Sequence, residues 1–412
     1  MNRRVVVTGM GALTPIGHSV PEFTENLMMG IHGIAPITHY DTTDSKFKLA
    51  AEIKNFEPLK RMDKAVLRKT DLFVQYALYA GEEAMEDSKL VGAIAPDRLA
   101  VYFGSGIGGF NTLCTEHKLL IDSGMKKVSS MLISKMIANI AAGNLAIRFG
   151  AKGACMAVCT ACATGTSAIG EAYRAILHGY ADAALCGGSE ASILPLAVAG
   201  FGNAQALTTS ENPDEASLPF DARRGGFVIA EGAGALVLEE LEHAKARGAT
   251  IYAEMVGYGS TCDAHHVTAP DPEAEASAKA IADAFAGLND FPTSELYFNA
   301  HGTGTPLNDV TETTALKRAL GEDAAKQLHI SSSKSMTGHM LGAAGAVEAI
   351  AAIQAIRLQT VPPTLGLHQQ DPACDLNYTP LNAVQTTLQG AVSNSLGFGG
   401  HNACIAFRRW NG

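Results

Sequence analysis

The residue of this chain best placed for covalent chemistry is Cys162, which stands between a strand-like run and a run of helix-forming residues. The strand-like run covers residues 154–158, and the helix-forming run covers residues 168–177. A thiol at the start of a helix faces unpaired backbone N–H groups and the positive end of the helix dipole, which stabilise a thiolate and bind a developing oxyanion. The position therefore predicts a nucleophilic cysteine.

Cys162 also ends a Cys-x-x-Cys pair that begins at Cys159, and three other interpretations stay open. A cysteine in an Ala/Gly-rich segment is often a small buried hydrophobic residue. The pair has the spacing of a redox motif, but it follows residue 150 instead of the first strand of a small βαβ domain. It can also supply half of a zinc site, but the sequence has no second Cys-x-x-Cys pair and no His-x3–5-His pair.

Three turns rich in glycine, serine and threonine carry further polar groups in the last part of the chain. The first contains His301, the second contains Lys334 and His339, and the third covers residues 394–402. Each turn lies beside an apolar run, where a single histidine usually has a structural role. Two histidines and a lysine in such turns, together with Cys162, predict one catalytic site.

At these residues, the chain resembles the β-ketoacyl-acyl-carrier-protein synthases, in particular the second type of these elongating condensing enzymes. The resemblance extends over essentially all of residues 3–410. It implies a Cys-His-His set formed by Cys162, His301 and His339, with Lys334 as the accompanying lysine. Initiating synthases and chalcone-type enzymes carry Asn in place of the second histidine, so His339 favours the elongating branch.

The resemblance implies a decarboxylative condensation in two parts. An acyl group is first transferred to Cys162, and the backbone N–H groups of Cys162 and Phe398 form the oxyanion hole. Malonyl carrier then loses carbon dioxide, and neutral His301 and His339 stabilise the enolate through their Nε2–H groups. A helix start after His339 is expected to lower the pKa of this histidine. The resulting carbanion attacks the thioester and releases a β-ketoacyl carrier.

The resemblance also implies the surroundings of this site. Lys334 is expected to be a buried ammonium that anchors the histidines through Glu348, because a lone carboxylate in an apolar helix needs a partner. Threonines are expected to bind the pantetheine arm and apolar residues to line the acyl tunnel, although turn capping and ordinary core packing are alternatives. These substrate-binding residues are Thr268, Thr303, Thr305, Ile107, Phe201, Leu341 and Phe398.

The elements that must hold this site are repeated along the chain. The strand, turn and helix around Cys162 resemble those of residues 330–349. The family resemblance implies a thiolase-like α/β fold, in which two βαβαβαββ halves form a five-layered αβαβα core. We expect residues 1–250 to form the half with the nucleophile and cap insertions, and residues 251–412 to form the half with the histidines.

One apolar segment within the first half is expected to make contact with a second copy of the chain. Residues 129–147 are apolar and rich in small side chains, which predicts a buried helix. In the family that the chain resembles, this region crosses a two-fold axis and helps to line the partner's pocket. A homodimer is therefore expected.

Two other functions remain as alternatives. Residues 104–109 read Gly-x-Gly-x-x-Gly directly after a strand, a pattern typical of dinucleotide binding. Against this function, the segment is not the first βα unit, and the related turn at His301 lacks a further glycine. A thiolase acting on coenzyme A would share the fold but needs a C-terminal Cys-x-Gly loop, and Cys404 is followed by Ile405 and Ala406.

Charge and composition limit the partners. The chain of 412 residues is 47% hydrophobic and carries a net charge of −10, so nucleic acid and anionic membrane are not expected to bind. Lys64, Arg68 and Lys69 form a basic cluster, which is either a solvated helix face or, as the resemblance implies, a dock for an acidic acyl carrier protein. Gln205 stands where the family often has arginine, which predicts a weaker or displaced dock.

Cysteine usage and the absence of targeting segments predict the compartment. Eight cysteines lie at irregular spacings without the density of a disulfide scaffold, which favours a reducing cytoplasm. No signal peptide, transit peptide or membrane span is visible in the sequence. The resemblance implies no metal and no cofactor apart from the phosphopantetheine that the carrier brings.

Overall fold

The computed structural model describes residues 3–412, which form both strands and helices. Its strands are β1 Val5–Leu13, β2 Ala35–Pro36, β3 Leu49–Ala50, β4 Leu99–Gly104, β5 Cys155–Met156, β6 Ala183–Glu190, β7 Gly232–Glu240, β8 Ala253–Cys262, β9 Leu296–Asn299, β10 His329–Ser331, β11 Thr360–Val361, β12 Val384–Gln385, β13 Gly390–Gly397 and β14 His401–Arg409. Its helices are α1 Val20–Met29, α2 Lys64–Lys69, α3 Leu72–Ser88, α4 Phe110–Ser123, α5 Leu132–Met136, α6 Ile140–Phe149, α7 Thr164–Leu177, α8 Pro195–Asn203, α9 Leu241–Ala246, α10 Glu275–Phe285, α11 Pro306–Leu320, α12 Glu322–Gln327, α13 Lys334–Thr337 and α14 Ala344–Leu358.

Ten of these strands form one mixed sheet in the order β10-β9-β13-β14-β8-β1-β7-β6-β4-β5. Residues 5–240 supply one side of it and residues 253–409 supply the other, and the two sides join where Val5 lies opposite Met255. Each side follows the same order of elements. The first runs β1-α3-β4-α6-β5-α7-β6-β7, and the second runs β8-α10-β9-α11-β10-α14-β13-β14. The expected duplication of a βαβαβαββ unit is therefore confirmed.

Two central helices lie between the two sides of the sheet. Helices α7 and α14 pack against each other and against strands of both sides. The segment Leu341–Leu358 is apolar enough to cross a membrane, but 89% of it is buried inside the fold, so it serves as a core helix. Helices α3 and α6 cover the outer face of the first side, and α10 covers that of the second. The layers follow the expected order αβαβα.

Two glycines let the central helices approach each other closely. A Cβ atom on Gly165 would lie 2.7 Å from the backbone nitrogen of Ala346, and one on Gly345 would lie 2.8 Å from that of Thr166. A larger residue at either position would push the helices apart. The turns that precede both helices are held together by this contact.

Two elements differ from the sequence-based expectation. The strand expected over residues 154–158 is only the two-residue edge strand β5. The buried helix expected over residues 129–147 is wrong, because the segment forms α5 and α6 with a break between them. Ile133 is 59% exposed and Ile147 is 83% exposed. The segment carries more apolar surface than the chain itself covers.

Candidate active site

Cys162 lies in a three-residue 3-10 turn, Ala161–Ala163, which runs directly into α7. Ala161 has a φ of +50°, in the left-handed region that a residue with a Cβ rarely adopts. The turn is braced where the Thr160 backbone N–H donates to the Thr164 hydroxyl at 2.9 Å. The sequence-based position of Cys162 at a helix start is therefore correct.

The loop after β13 approaches the nucleophile closely. The Phe398 backbone N–H faces the sulfur of Cys162 and lowers the pKa of that thiol. A Cβ atom on Gly397 would lie 2.5 Å from the Thr160 carbonyl oxygen and 3.3 Å from the Cys162 nitrogen, so only glycine permits this approach. The two N–H groups expected to form an oxyanion hole, those of Cys162 and Phe398, are thereby brought together.

The two histidines expected in the site lie beside each other and are buried. The ring centroids of His301 and His339 are 5.3 Å apart, and the rings are nearly perpendicular. His301 follows β9, and His339 is held by its backbone. Its N–H donates to the Val228 carbonyl at 2.7 Å, and its carbonyl accepts from the Ala230 N–H at 2.9 Å. This clamp fixes where the ring of His339 can point.

Lys334 is buried and connects this site to the central helix. Its side chain is 1% exposed and forms an ion pair with Glu348 on α14. Its Nζ also lies 3.4 Å from Nδ1 of His301. An ammonium group can only donate, so this contact makes Nδ1 an acceptor and leaves the proton of neutral His301 on Nε2. This is the tautomer that an enolate-binding histidine needs.

The electrostatics of the site follow the sequence-based expectation at His339 and oppose it at Cys162. Burial and the Lys334 ammonium hold the pKa values of His301 and His339 well below their usual range, which is the direction expected for His339, with burial as the largest cause. Burial also raises the pKa of the Cys162 thiol to about 12, more than Lys334 lowers it. This shift opposes the thiolate that is expected at a helix start.

A cavity of about 380 Å³ opens beside Cys162, His301 and His339. Five of the seven expected substrate-binding residues also line it, namely Phe201, Phe398, Thr268, Thr303 and Thr305. The other two do not. Leu341 is buried in the apolar cluster that packs around Cys162, and Ile107 is 38% exposed on a neighbouring turn.

Glu312 holds the turn of His301 in place, and the sequence analysis missed it. Its carboxylate on α11 accepts from the His301 N–H at 2.7 Å and the Gly302 N–H at 2.8 Å. It also accepts from the side-chain amide of Asn394 at 2.7 Å. The pKa of Glu312 is raised to about 7, because burial raises it more than these hydrogen bonds lower it. The available signal was an acidic residue on α11, the helix that directly follows the turn of His301.

The glycine-rich turn after β4 is occupied by another carboxylate of the chain. The N–H groups of Gly106 and Ile107 donate to Glu190 at 2.8 Å and 3.3 Å. A dinucleotide would need these N–H groups for its phosphates. The dinucleotide alternative is therefore contradicted, because an internal anion fills the site where the pyrophosphate would bind.

The basic residues expected to bind a carrier protein lie on the surface. Helix α2 begins after Asp63, whose side chain accepts from the N–H groups of Ala65 and Val66. Within residues 3–412, none of the three expected docking residues has an ion-pair partner in the chain, and all are exposed: Lys64, Arg68 and Lys69. Gln205 lines the cavity beside Cys162.

The sequence matches two families and closely related curated proteins. Residues 2–244 match "Beta-ketoacyl synthase, N-terminal domain", and residues 252–368 match "Beta-ketoacyl synthase, C-terminal domain". The 3-oxoacyl-[acyl-carrier-protein] synthase 2 of Synechocystis sp. is 47% identical over 410 residues, which covers 99% of this chain and 98% of the relative. The protein of the same name from Staphylococcus aureus (strain COL) is also 47% identical, over 99% of each chain.

Solved structures resemble the fold over its whole length. A beta-ketoacyl synthase from Burkholderia phymatum STM815 superposes with a TM-score of 0.90 at 36% identity, covering 99% of this chain and all of the other. A type II polyketide synthase structure, in which an acyl-carrier protein is in complex with its ketosynthase bound to the hexaketide, gives a TM-score of 0.91 at 35% identity. It covers 100% of both chains.

Proposed function

The chain belongs to the β-ketoacyl synthase family, and we propose that it catalyses the decarboxylative condensation of an acyl-carrier protein with malonyl-carrier protein in fatty-acid elongation. The observation that carries this proposal is the cavity shared by Cys162, His301 and His339, with Lys334 against one histidine. The thiolase-like fold and the 47% identity to 3-oxoacyl-[acyl-carrier-protein] synthase 2 support it. The products are a 3-oxoacyl-carrier protein and carbon dioxide.

The first half-reaction transfers the acyl group to Cys162. The sulfur attacks the thioester carbonyl, the carrier thiol leaves, and the tetrahedral oxyanion is bound by the N–H groups of Cys162 and Phe398. Because the thiol has a pKa of about 12, its proton must leave as the sulfur attacks. Within residues 3–412 no hydrogen bond fixes the tautomer of His339, so this imidazole is the available base, and the departing carrier thiolate takes up the proton.

The second half-reaction forms the carbon–carbon bond. Malonyl-carrier loses carbon dioxide, and the enolate oxygen accepts from Nε2–H of His301 and of His339. The carbanion attacks the acyl-Cys162 carbonyl, and the Cys162 sulfur leaves and regains a proton. Both imidazoles stay neutral near pH 7 because their pKa values are depressed. No step calls for a metal or a cofactor beyond the carrier's phosphopantetheine.

The partner protein is an acidic acyl carrier protein, which we place against α2. The exposed cations Lys64, Arg68 and Lys69 stand out against the net charge of −10 and are opposite in sign to such a carrier. We also propose a homodimer in the cytoplasm. The exposed apolar side chains of Ile133 and Ile147 support the dimer, since a second copy can cover them.

The test is a stepwise incubation followed by mass analysis of protein and product. With acyl-carrier protein alone, the chain should gain one acyl group on Cys162. With malonyl-carrier protein added, it should lose that group and release one 3-oxoacyl-carrier product per condensation. Acylation at another cysteine, or absence of the product, would refute the proposal. Several successive condensations without reduction would place the chain with polyketide ketosynthases.

A further inference from the structure

The Glu190 carboxylate is buried in a cage of donors that the reaction above does not use. Glu190 ends β6, and none of its surface is exposed. Its Oε2 accepts from the backbone N–H groups of Gly106 at 2.8 Å and Gly342 at 3.1 Å. Its Oε1 accepts from one N–H group and two hydroxyl groups, those of Ile107 at 3.3 Å, Ser105 at 3.0 Å and Ser192 at 3.1 Å.

These contacts indicate that the Glu190 carboxylate is ionised and that the surrounding donors stabilise its charge. Three backbone N–H groups donate to its two oxygens, and such groups cannot accept a proton in return. Burial raises the pKa of Glu190, and the hydrogen bonds from Gly342, Ser105 and Gly106 lower it. An unsatisfied buried carboxylate is costly, so each donor is held firmly in place.

The cage joins the turns that surround the thiol. The turn of Ile107 follows β4, and the turn of Leu341 precedes α14. A Cβ atom on Gly342 would lie 2.4 Å from the Gly106 nitrogen and 2.9 Å from Oε2 of Glu190, so the two turns are in direct contact. Leu341 in turn belongs to the apolar cluster that packs against Cys162. A shift of the carboxylate must therefore move the apolar surface behind the nucleophile.

We propose that Glu190 is a positioning residue of the acyl pocket, which fixes the turns of Ile107 and Leu341 relative to Cys162 and thereby determines the acyl chain lengths that the thiol accepts. This inference rests on the proposed function, because an acyl chain on Cys162 must lie against that apolar cluster. A short acyl group ends near the sulfur and does not reach the turns. A long chain does, so its acceptance depends on their position.

The test compares Glu190→Gln and Glu190→Asp with the wild type. Gln places an NH2 group against N–H donors on one side of the cage, and Asp keeps the charge but is one methylene shorter. Both variants should slow acylation of Cys162 by long acyl-carrier substrates by on the order of 10- to 100-fold, with a much smaller effect on acetyl-carrier. The measurement is single-turnover acylation over a series of chain lengths, with Glu83→Gln as the control.

Glu83 is a matched control because its carboxylate also accepts from two backbone N–H groups, those of Ala12 at 3.0 Å and Val20 at 2.8 Å, away from the cavity. Glu83→Gln should lower the melting temperature and leave the chain-length profile unchanged. If Glu190→Gln does not fold, Ser105→Ala and Ser192→Ala each remove one donor and should shift the profile in the same direction.

A second readout separates charge from position. The charged groups that act on Cys162 are Lys334, Glu190 and Glu348, and the two carboxylates raise the pKa of the thiol. Glu190→Gln should therefore speed alkylation of Cys162 by iodoacetamide, whereas Glu190→Asp should not. Folded variants with the wild-type profile, or with equal slowing for every chain length, would overturn the proposal. A wild-type protein that takes up no acyl group would instead refute the proposed function.

Discussion

The turn before α7 and the turn before α14 have the same backbone conformation. They differ in the group that their N–H groups face. Both are three-residue 3-10 turns, Ala161–Ala163 and Leu341–Ala343, that run into a central helix. Both begin with a residue in the left-handed region, with φ of +50° at Ala161 and +47° at Leu341. The middle residue is Cys162 in the first turn and Gly342 in the second.

The N–H group of each middle residue has a different partner. The N–H of Gly342 donates to the buried carboxylate of Glu190 at 3.1 Å, so the chain's own anion occupies that helix start. The N–H of Cys162 lies beside the loop of Phe398, where β13 ends and a cavity opens. The duplicated fold thus supplies two anion-binding turns. One is filled permanently, and the other is free for an oxyanion that exists only during the reaction.

The largest effect on activity is expected when a side chain occupies the turn of Cys162 as Glu190 occupies the turn of Gly342. In Cys162→Gln, the carboxamide oxygen can accept from the N–H groups at positions 162 and 398. Condensation should fall by on the order of 10⁶-fold, because the nucleophile is lost. Malonyl-carrier should still lose carbon dioxide, because both histidines remain. The measurement is the mass of the acetyl-carrier and 3-oxoacyl-carrier products.

The histidines provide the control for this variant. Replacing His301 or His339 by Ala in the Cys162→Gln background removes one enolate donor, which typically costs on the order of 10²–10³ in rate. Decarboxylation that survived both replacements at an unchanged rate would show that the enolate is stabilised elsewhere.

The two half-reactions should also differ in their response to pH. The pKa of Cys162 is about 12, so its thiolate fraction rises about tenfold per pH unit, and alkylation should be about 10²-fold faster at pH 9 than at pH 7. The pKa values of both histidines lie well below the usual range, so neither is charged between pH 6 and pH 8. Decarboxylation by Cys162→Gln should therefore stay flat over that interval. A decline as the pH falls through 6.5 would mean that a histidine titrates normally.

How much of this was predictable from sequence differs between the two turns. The turn of Cys162 was identified because a thiol before a helix is chemically distinctive, and its counterpart was recognised as a repeat around Lys334 and His339. The role of Glu190 was not predicted, because the five groups of its cage come from three separate segments. Only packing brings them together.

The same limit explains the other errors. A helix start favours a thiolate, but the sequence does not say how deeply Cys162 is buried, and burial dominates its pKa. The segment of α5 and α6 has the composition of a core helix, but the chain leaves Ile133 and Ile147 exposed. An apolar composition predicts that a segment is covered, but it does not identify the surface that covers it.

A methyl group in the filled turn should lower the stability of the protein. In Gly342→Ala, the Cβ would lie 2.4 Å from the Gly106 nitrogen and 2.9 Å from Oε2 of Glu190, so backbone or carboxylate must move. Overpacking of this kind costs about 1–3 kcal/mol of the free energy of unfolding. Thermal and denaturant unfolding would measure it. Gly200→Ala is the control, because its Cβ on α8 meets nothing within 4 Å and should be neutral or stabilising. Equal stability of the two variants would contradict a tight contact between the turns.

The smallest effect is expected from a change outside both turns. Reversal of Lys64, Arg68 and Lys69 to Glu should raise KM for carrier-bound substrates several-fold and flatten its salt dependence, because exposed charges are screened within about 8 Å at physiological ionic strength. The kcat should change little, because neither turn is touched. Small pantetheine thioesters, which lack the carrier, should be used as well as before.

A second reversal with the same change in net charge separates docking from overall charge. The exposed residues Lys245, Lys279 and Lys326 lie on helices α9, α10 and α12. Each pairs with an acidic residue of its own helix, so reversal costs little stability. Their replacement by Glu should leave KM for carrier-bound substrates near the wild-type value. If both triple variants raise it alike, the carrier senses the total charge of the protein, and α2 is not its dock. If the α2 variant also impairs small thioesters, its cations support the fold and not the partner.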